Sequence, residues 1–143
     1  MRENRVIHLE KNVDIKDPIL IVGLPGVGHV GKLVAEHLVE ELTSIKLIEI
    51  YSPHFPPQVL VNENSEIRMV NNEIYVCKAK EHDLLVLIGD HQSNTTNGHY
   101  ELCELYLDLA EEMGVKMVYT LGGFPTGQLT HIDEVLGAVS RSE

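Results

Sequence analysis

Residues 17–32 read Asp-Pro-Ile-Leu-Ile-Val-Gly-Leu-Pro-Gly-Val-Gly-His-Val-Gly-Lys, and this stretch decides the fold class. The apolar run Asp17–Val22 predicts a strand that is buried on both faces, and the following glycines end it. Apolar residues then recur at helical spacing through 27–42, which predicts an amphipathic helix. Ile45–Tyr51 predicts the next strand. A strand–helix–strand unit of this kind makes its two strands parallel with a right-handed crossover.

Beyond this unit, the alternation of strand and helix patterns stops. Prolines at 53, 56 and 57 exclude a central strand there, and Gln58–Asn62, Glu66–Val70 and Glu73–Ala79 are short strand patterns. Asn71-Asn72 predicts a two-residue hairpin turn between the last two of them. We expect this antiparallel hairpin to lie apart from the centre of the sheet.

The second half of the chain returns to an α/β pattern. Asp83–Gly89 is the most apolar strand pattern and is predicted to be central, and the apolar stripe within 102–113 predicts a helix after it. Val115–Leu121 and Val135–Val139 are predicted as further strands. The prediction is one α/β domain over residues 1–143, with three α/β/α layers and a mainly parallel sheet, and with a possible truncation at its carboxyl end.

Composition and charge limit the classes of partner. The 143 residues include 11 basic and 22 acidic side chains, for a net charge of −11. Such a surface predicts no nucleic-acid partner and no membrane partner, and it is compatible with a basic protein. The longest aliphatic run is far too short to span a bilayer, and no secretory signal is visible. Two cysteines without a disulfide pattern favour a reducing, cytoplasmic location.

Two nucleotide-binding motifs overlap in the glycine loop. Gly26–Gly31 fits G-x-G-x-x-G after a strand, which is typical of dinucleotide binding, although the usual second helix crossover is replaced by prolines and a hairpin. Gly26–Lys32 fits the phosphate-binding pattern G-x-x-x-x-G-K. The next residue is Leu33 where that pattern needs a hydroxyl to bind magnesium. No catalytic residue, metal site or cofactor is predicted from these motifs.

Three loops rich in small or polar residues follow strand ends. Because parallel strands end at the same edge of a sheet, we expect these loops to line one crevice there. The free backbone N–H groups of the helix that starts near Gly28 would suit an anion in this crevice. Glycine turns without any ligand explain the same pattern equally well. The candidate crevice residues are Gly26, Gly28, Gly31, Asp90, Gln92, Gly122 and Gly123.

The order of four motifs resembles the archaeal branch of the proteasome assembly chaperone family, whose members are often described as uncharacterised or ATP-grasp-like. The motifs are Gly23–Lys32, Ser52–Pro57, Leu87–Gln92 and Thr120–Phe124. The resemblance implies an α/β/α fold similar to purine nucleoside phosphorylases. It also implies a non-enzymatic chaperone or adaptor that forms oligomers and binds protein partners such as proteasome subunits. The alternative is a nucleotide- or nucleoside-binding enzyme that uses the glycine-rich crevice.

The carboxyl end departs from the family pattern. Members of the family usually continue well beyond the segment that matches Val135–Val139, and some archaeal members end in a hydrophobic–Tyr–X tail that docks onto proteasome α-subunits. Residues 141–143 read Arg-Ser-Glu and do not form such a tail. We expect a fragment, a truncated product or a short paralogue. We also expect a homo-oligomer that buries residues from 115 onward, or a poorly ordered carboxyl end if this segment finds no partner.

Overall fold

The computed structural model describes residues 1–141, which form a mixed sheet with helices on both faces. Its strands run in the order β1-β3-β6-β7-β2-β8, and β4 and β5 form a separate two-stranded sheet. The elements are β1 (Arg5–His8), β2 (Ile19–Gly23), a 3₁₀ turn (Val27–His29), α1 (Val30–Glu41), β3 (Ser44–Tyr51), β4 (Val59–Val61), β5 (Ile67–Met69), β6 (Asn72–Cys77), β7 (Leu84–Gly89), α2 (Thr96–Glu112) and β8 (Met117–Thr120).

The sheet combines both kinds of strand pairing. β2 pairs in parallel with β7 and with β8, whereas the β1–β3, β3–β6 and β6–β7 ladders are antiparallel. The predicted central position of the most apolar strand, β7, is confirmed, because it lies between β6 and β2. The predicted majority of parallel pairs is not found. Two of the five ladders are parallel, since β6 enters the sheet in the opposite direction.

The predicted hairpin around Asn71-Asn72 is wrong. β5 pairs with β4 and not with β6. β6 pairs instead with β3 on one side and with β7 on the other. The physical reason is burial: Ile74 and Val76 are at most 1% exposed, and a strand with a neighbour on each edge buries such side chains better than an edge strand does. The antiparallel strand therefore lies in the middle of the sheet rather than apart from it.

One helix covers each face of the sheet. Leu85 and Leu87 of β7 pack with the apolar stripe of α2, whereas Val86 between them packs with Ala35 of α1. This alternation follows from the two-residue period of a strand. The result is the predicted arrangement of three layers. Neither helix in residues 1–141 is long and apolar enough to cross a membrane.

The carboxyl segment differs from the prediction. Val135–Val139 forms no strand, and Val135 and Val139 are 101% and 81% exposed. Its apolar pattern predicted burial, but no described strand pairs with it, and β8 remains at the edge of the sheet. The prediction about the tail covers residues 141–143, and residues 142 and 143 lie outside the described part of the chain.

Candidate functional site

The glycine loop between β2 and α1 is packed backbone against backbone with the segment after β8. A Cβ on Gly31 would lie 2.2 Å from the carbonyl oxygen of Leu121, and one on Gly123 would lie 2.3 Å from the carbonyl oxygen of Val27. Only glycine leaves room for these approaches. The first function of the glycines is therefore to let α1 and the segment 121–123 touch.

This packing disfavours a phosphate at the start of α1. The N–H of His29 donates to Gly26 and the N–H of Val30 donates to Val27, so both groups are used within the loop. A carbonyl oxygen carries partial negative charge, and the one from Leu121 lies directly against Gly31. An anion needs free N–H groups at a helix start, and this arrangement offers carbonyls beside it instead.

Lys32 is likewise not presented to a phosphate in the glycine loop. Its Nζ lies 3.6 Å from Oε1 of Glu36, one turn further along α1. Both side chains line a small polar cleft of about 90 Å³ that also contains Arg68 and Asp90. Leu33 is exposed and has no metal-binding group. The geometry therefore gives no support to phosphate binding by the G-x-x-x-x-G-K pattern.

A crevice does form at the carboxyl edge of the three parallel strands. It has a volume of about 440 Å³ and lies between the glycine loop, α2 and the end of β8. Five of the seven candidate residues line it: Gly26, Gly31, Gln92, Gly122 and Gly123. Gln92 fixes the wall by donating from Nε2 to the carbonyl of Pro25 at 2.5 Å. Gly28, which has a positive φ of 61°, serves the turn and does not line the crevice.

Asp90 belongs to a different cluster. Its carboxylate accepts two hydrogen bonds from the guanidinium of Arg68, at 2.5 and 2.8 Å, and one from the backbone N–H of Asn71 at 3.1 Å. Burial alone would raise the pKa of Asp90, but the bonds from Arg68 and Asn71 outweigh it and hold the pKa below its usual range. Asp90 thus anchors β5 to the end of β7 and does not face the crevice.

The crevice is more apolar than the sequence indicated. Its wall also includes Cys103, Tyr106 and Leu107 of α2 and Val118 of β8, and the other lining residues are mainly aliphatic. One signal was available, because Cys103 and Leu107 lie four residues apart, beside the apolar stripe of α2, and so widen its apolar face. A mainly apolar wall with few polar groups suits an apolar side chain better than a charged nucleotide.

A buried pair of polar side chains joins β6 to α2 beside the crevice. The side-chain amide of Asn72 and the hydroxyl of Tyr106 are 2.7 Å apart. With the amide oxygen accepting from Tyr106, the Asn72 nitrogen donates to the carbonyls of Asn71 at 2.9 Å and His91 at 3.1 Å. A Cβ on Gly89 would clash with Asn72, so this position requires glycine. Sequence reasoning missed this pair, because its members are 34 residues apart.

The two cysteines lie in different environments. Cys77 is buried, and burial raises the pKa of its thiol to about 11, which keeps it protonated at neutral pH. Cys103 is exposed at the crevice. Within residues 1–141, no group of three or more histidine, cysteine, aspartate or glutamate side chains could hold a metal ion.

Comparisons with family models and with individual proteins both find relatives of this chain. A model of the PAC2 family matches residues 20–143. Uncharacterized protein MJ1210 of Methanocaldococcus jannaschii is 40% identical over 129 residues, which cover 90% of this chain and 50% of that protein.

Two solved structures are also similar to this chain. The crystal structure of Pyrococcus furiosus PbaB, an archaeal proteasome activator, has a TM-score of 0.84 and 41% identity, covering 92% of this chain and 55% of that one. Pyrococcus furiosus PbaA, an archaeal homolog of proteasome-assembly chaperone, has a TM-score of 0.66 at 20% identity, covering 92% and 50%, and shows the fold alone. The chain spans about half the length of the proteins it matches.

Proposed function

Since this chain belongs to the PAC2 family, we propose that it is a non-enzymatic chaperone or adaptor that acts by binding protein partners, with proteasome subunits as the first candidates. The observation that carries the proposal is the similarity to Pyrococcus furiosus PbaB, an archaeal proteasome activator: 41% identity over 92% of this chain, with a TM-score of 0.84. The two proteins therefore share the backbone fold of this region and 41% of its residues.

The site chemistry supports a protein partner rather than a nucleotide. The crevice wall is mainly apolar, and the carbonyl of Leu121 lies where a nucleotide phosphate would need N–H donors. A net charge of −11 favours a partner with basic surface groups. We assign the crevice that includes Gly26, Gly31 and Gln92 to an apolar side chain of such a partner. The alternative of a nucleotide- or nucleoside-binding enzyme has no comparable support.

Three further parts of the proposal concern assembly, location and fold. We include a homo-oligomer, because β8 is an edge strand whose Met117 and Tyr119 are both more than half exposed. We also include a cytoplasmic location, and a fold that is similar to those of purine nucleoside phosphorylases. Light scattering coupled to size exclusion measures the oligomeric state, and the mass of a monomer at all concentrations would contradict the homo-oligomer.

The proposed function is tested by direct binding. The 143-residue chain would be titrated against an immobilised α-ring of an archaeal 20S proteasome, with an unrelated protein of similar negative charge as the control. We expect saturable binding of the α-ring by the 143-residue chain and no such binding by the control protein. In parallel, ATP, NAD and nucleosides would be tested for a rise in melting temperature, since a ligand that binds only the native state must stabilise it. A nucleotide-dependent rise without any α-ring binding would reverse the assignment.

A further inference from the structure

The β4–β5 hairpin presents an exposed apolar face. Val59 pairs with Met69 and Val61 pairs with Ile67 across the two strands, so the four side chains lie on one side of the hairpin. They are 54%, 52%, 64% and 69% exposed, respectively. A contiguous apolar patch of this kind on a protein surface is typical of an interaction site.

The hairpin is rigidly attached to the domain. Leu60, on its opposite side, packs against the main core, and the guanidinium of Arg68 makes its bidentate ion pair with Asp90 after β7. The turn is held by Asn62, whose Oδ1 accepts from the N–H groups of Asn64 and Glu66, each at 2.9 Å. The apolar face is therefore held in place before any partner arrives, which lowers the entropic cost of binding.

Charge defines the partner. The tip of the hairpin carries Glu63 and Glu66, and its one cation, Arg68, is engaged with Asp90 on the side away from the apolar face. The whole chain has a net charge of −11, so a second copy would meet repulsion at this tip. A basic surface would instead be attracted to it, and the attraction would speed association.

We infer that the β4–β5 hairpin is a docking element that inserts Val61 and Ile67 into an apolar groove of a partner protein whose rim carries lysine or arginine near Glu63. This inference rests on the proposed function, because it names the surface that would contact the partner. The outer backbone edges of both strands pair with no other described strand, which leaves the hairpin free to enter such a groove.

The test uses the same archaeal 20S α-ring and the full 143-residue chain. Ile67→Lys and Ile67→Glu replace the same apolar side chain by opposite charges. Glu63→Lys is matched by Glu81→Lys, at a glutamate that is also exposed and lies on the loop before β7. We expect Ile67→Lys to weaken binding about tenfold or more, which is typical of a central apolar contact, and Ile67→Glu to weaken it less. Glu63→Lys should slow association several-fold more than Glu81→Lys, and added salt should remove this difference.

The other outcomes show whether the inference, the proposed function or both are wrong. Because these side chains are exposed, unchanged melting temperatures should show that the variants fold. If the α-ring binds the unchanged chain and Ile67→Lys equally, the inference is wrong and the proposed function stands. A loss caused by Leu107→Lys but not by Ile67→Lys would place the contact at the crevice and overturn the inference. A dimer that Ile67→Lys dissociates, with α-ring binding intact, would make a second copy the occupant. No binding by the unchanged chain would overturn both proposals.

Discussion

Replacing Gly31 by alanine tests the backbone contact that shapes the crevice. The new Cβ would lie 2.2 Å from the oxygen and 2.6 Å from the carbon of the Leu121 carbonyl, whereas ordinary contacts are 3.4 Å or longer. The two backbones must therefore separate by about 1 Å, and neither can yield as a flexible side chain could. Overpacking of this kind costs about 1–3 kcal/mol.

A smaller effect opposes that cost. Gly31 is the second residue of α1, and alanine improves helix propensity by at most about 1 kcal/mol. The net result should be a loss of about 1–2 kcal/mol in the free energy of unfolding, or roughly 3–8 °C in melting temperature for a chain of this size. Circular dichroism during heating, supported by urea unfolding, measures both quantities.

The chain supplies matched controls for this prediction. A Cβ on Gly26 or on Gly122 would meet nothing within 4 Å, and neither residue has a positive φ, so alanine at either position should leave the melting temperature nearly unchanged. Gly123→Ala, whose Cβ would lie 2.3 Å from the Val27 carbonyl, should resemble Gly31→Ala. If all four variants melt together, the glycines are not there for close packing and the reasoning fails.

Three further predictions follow from buried polar groups and thiols. Burial alone would raise the pKa of Asp83, but its hydrogen bonds from Lys78 and from a backbone N–H outweigh burial and lower that pKa. The stabilisation by the Asp83 carboxylate should therefore be complete at neutral pH and be lost as the pH falls through the lowered pKa. The acid unfolding of Asp83→Asn, followed by fluorescence, should thus depend less steeply on pH than that of the unchanged chain. Tyr106→Phe should cost about 1–2 kcal/mol in urea unfolding, because it leaves the side-chain oxygen of Asn72 without its donor; no change would mean that the pair is not buried as described. A chromogenic disulfide reagent should label Cys103 in the native protein and Cys77 only on unfolding, and equal rates for the two thiols would contradict their burial.

Local patterns predicted the elements well but not their neighbours. The runs that predicted β2, β3, β7 and β8 match the observed strands to within two residues, because an apolar run and its breakers are set by adjacent residues. The position of β6 could not be predicted in this way. Its choice of β3 and β7 over β5 depends on which pairing buries Ile74 and Val76, and that choice involves residues far apart in the chain.

The same distinction applies to the crevice. Gly122 and Gly123 were predicted to join Gly26 because β2 and β8 are parallel, and the structure brings them together. Asp90 was misassigned because its ion pair with Arg68 spans 22 positions and leaves no local signal. The apolar wall from α2 was also missed, since a helix stripe does not show which of its flanking residues meets a neighbouring strand.

The order of strands has a consequence for folding during synthesis. β2 is made early, yet its neighbours are β7 and β8: Ile19 pairs with Leu84 and Met117, about 65 and about 98 positions later. At roughly 5–20 residues per second, β2 waits several seconds on the ribosome with both edges open. Within the six-stranded sheet, the antiparallel β6–β7 ladder joins strands separated by only six residues, so its amides should be the first of this sheet to be protected in pulse-labelled hydrogen exchange. The glycine loop would then close last, because Gly31 meets its contact only when Leu121 has been made.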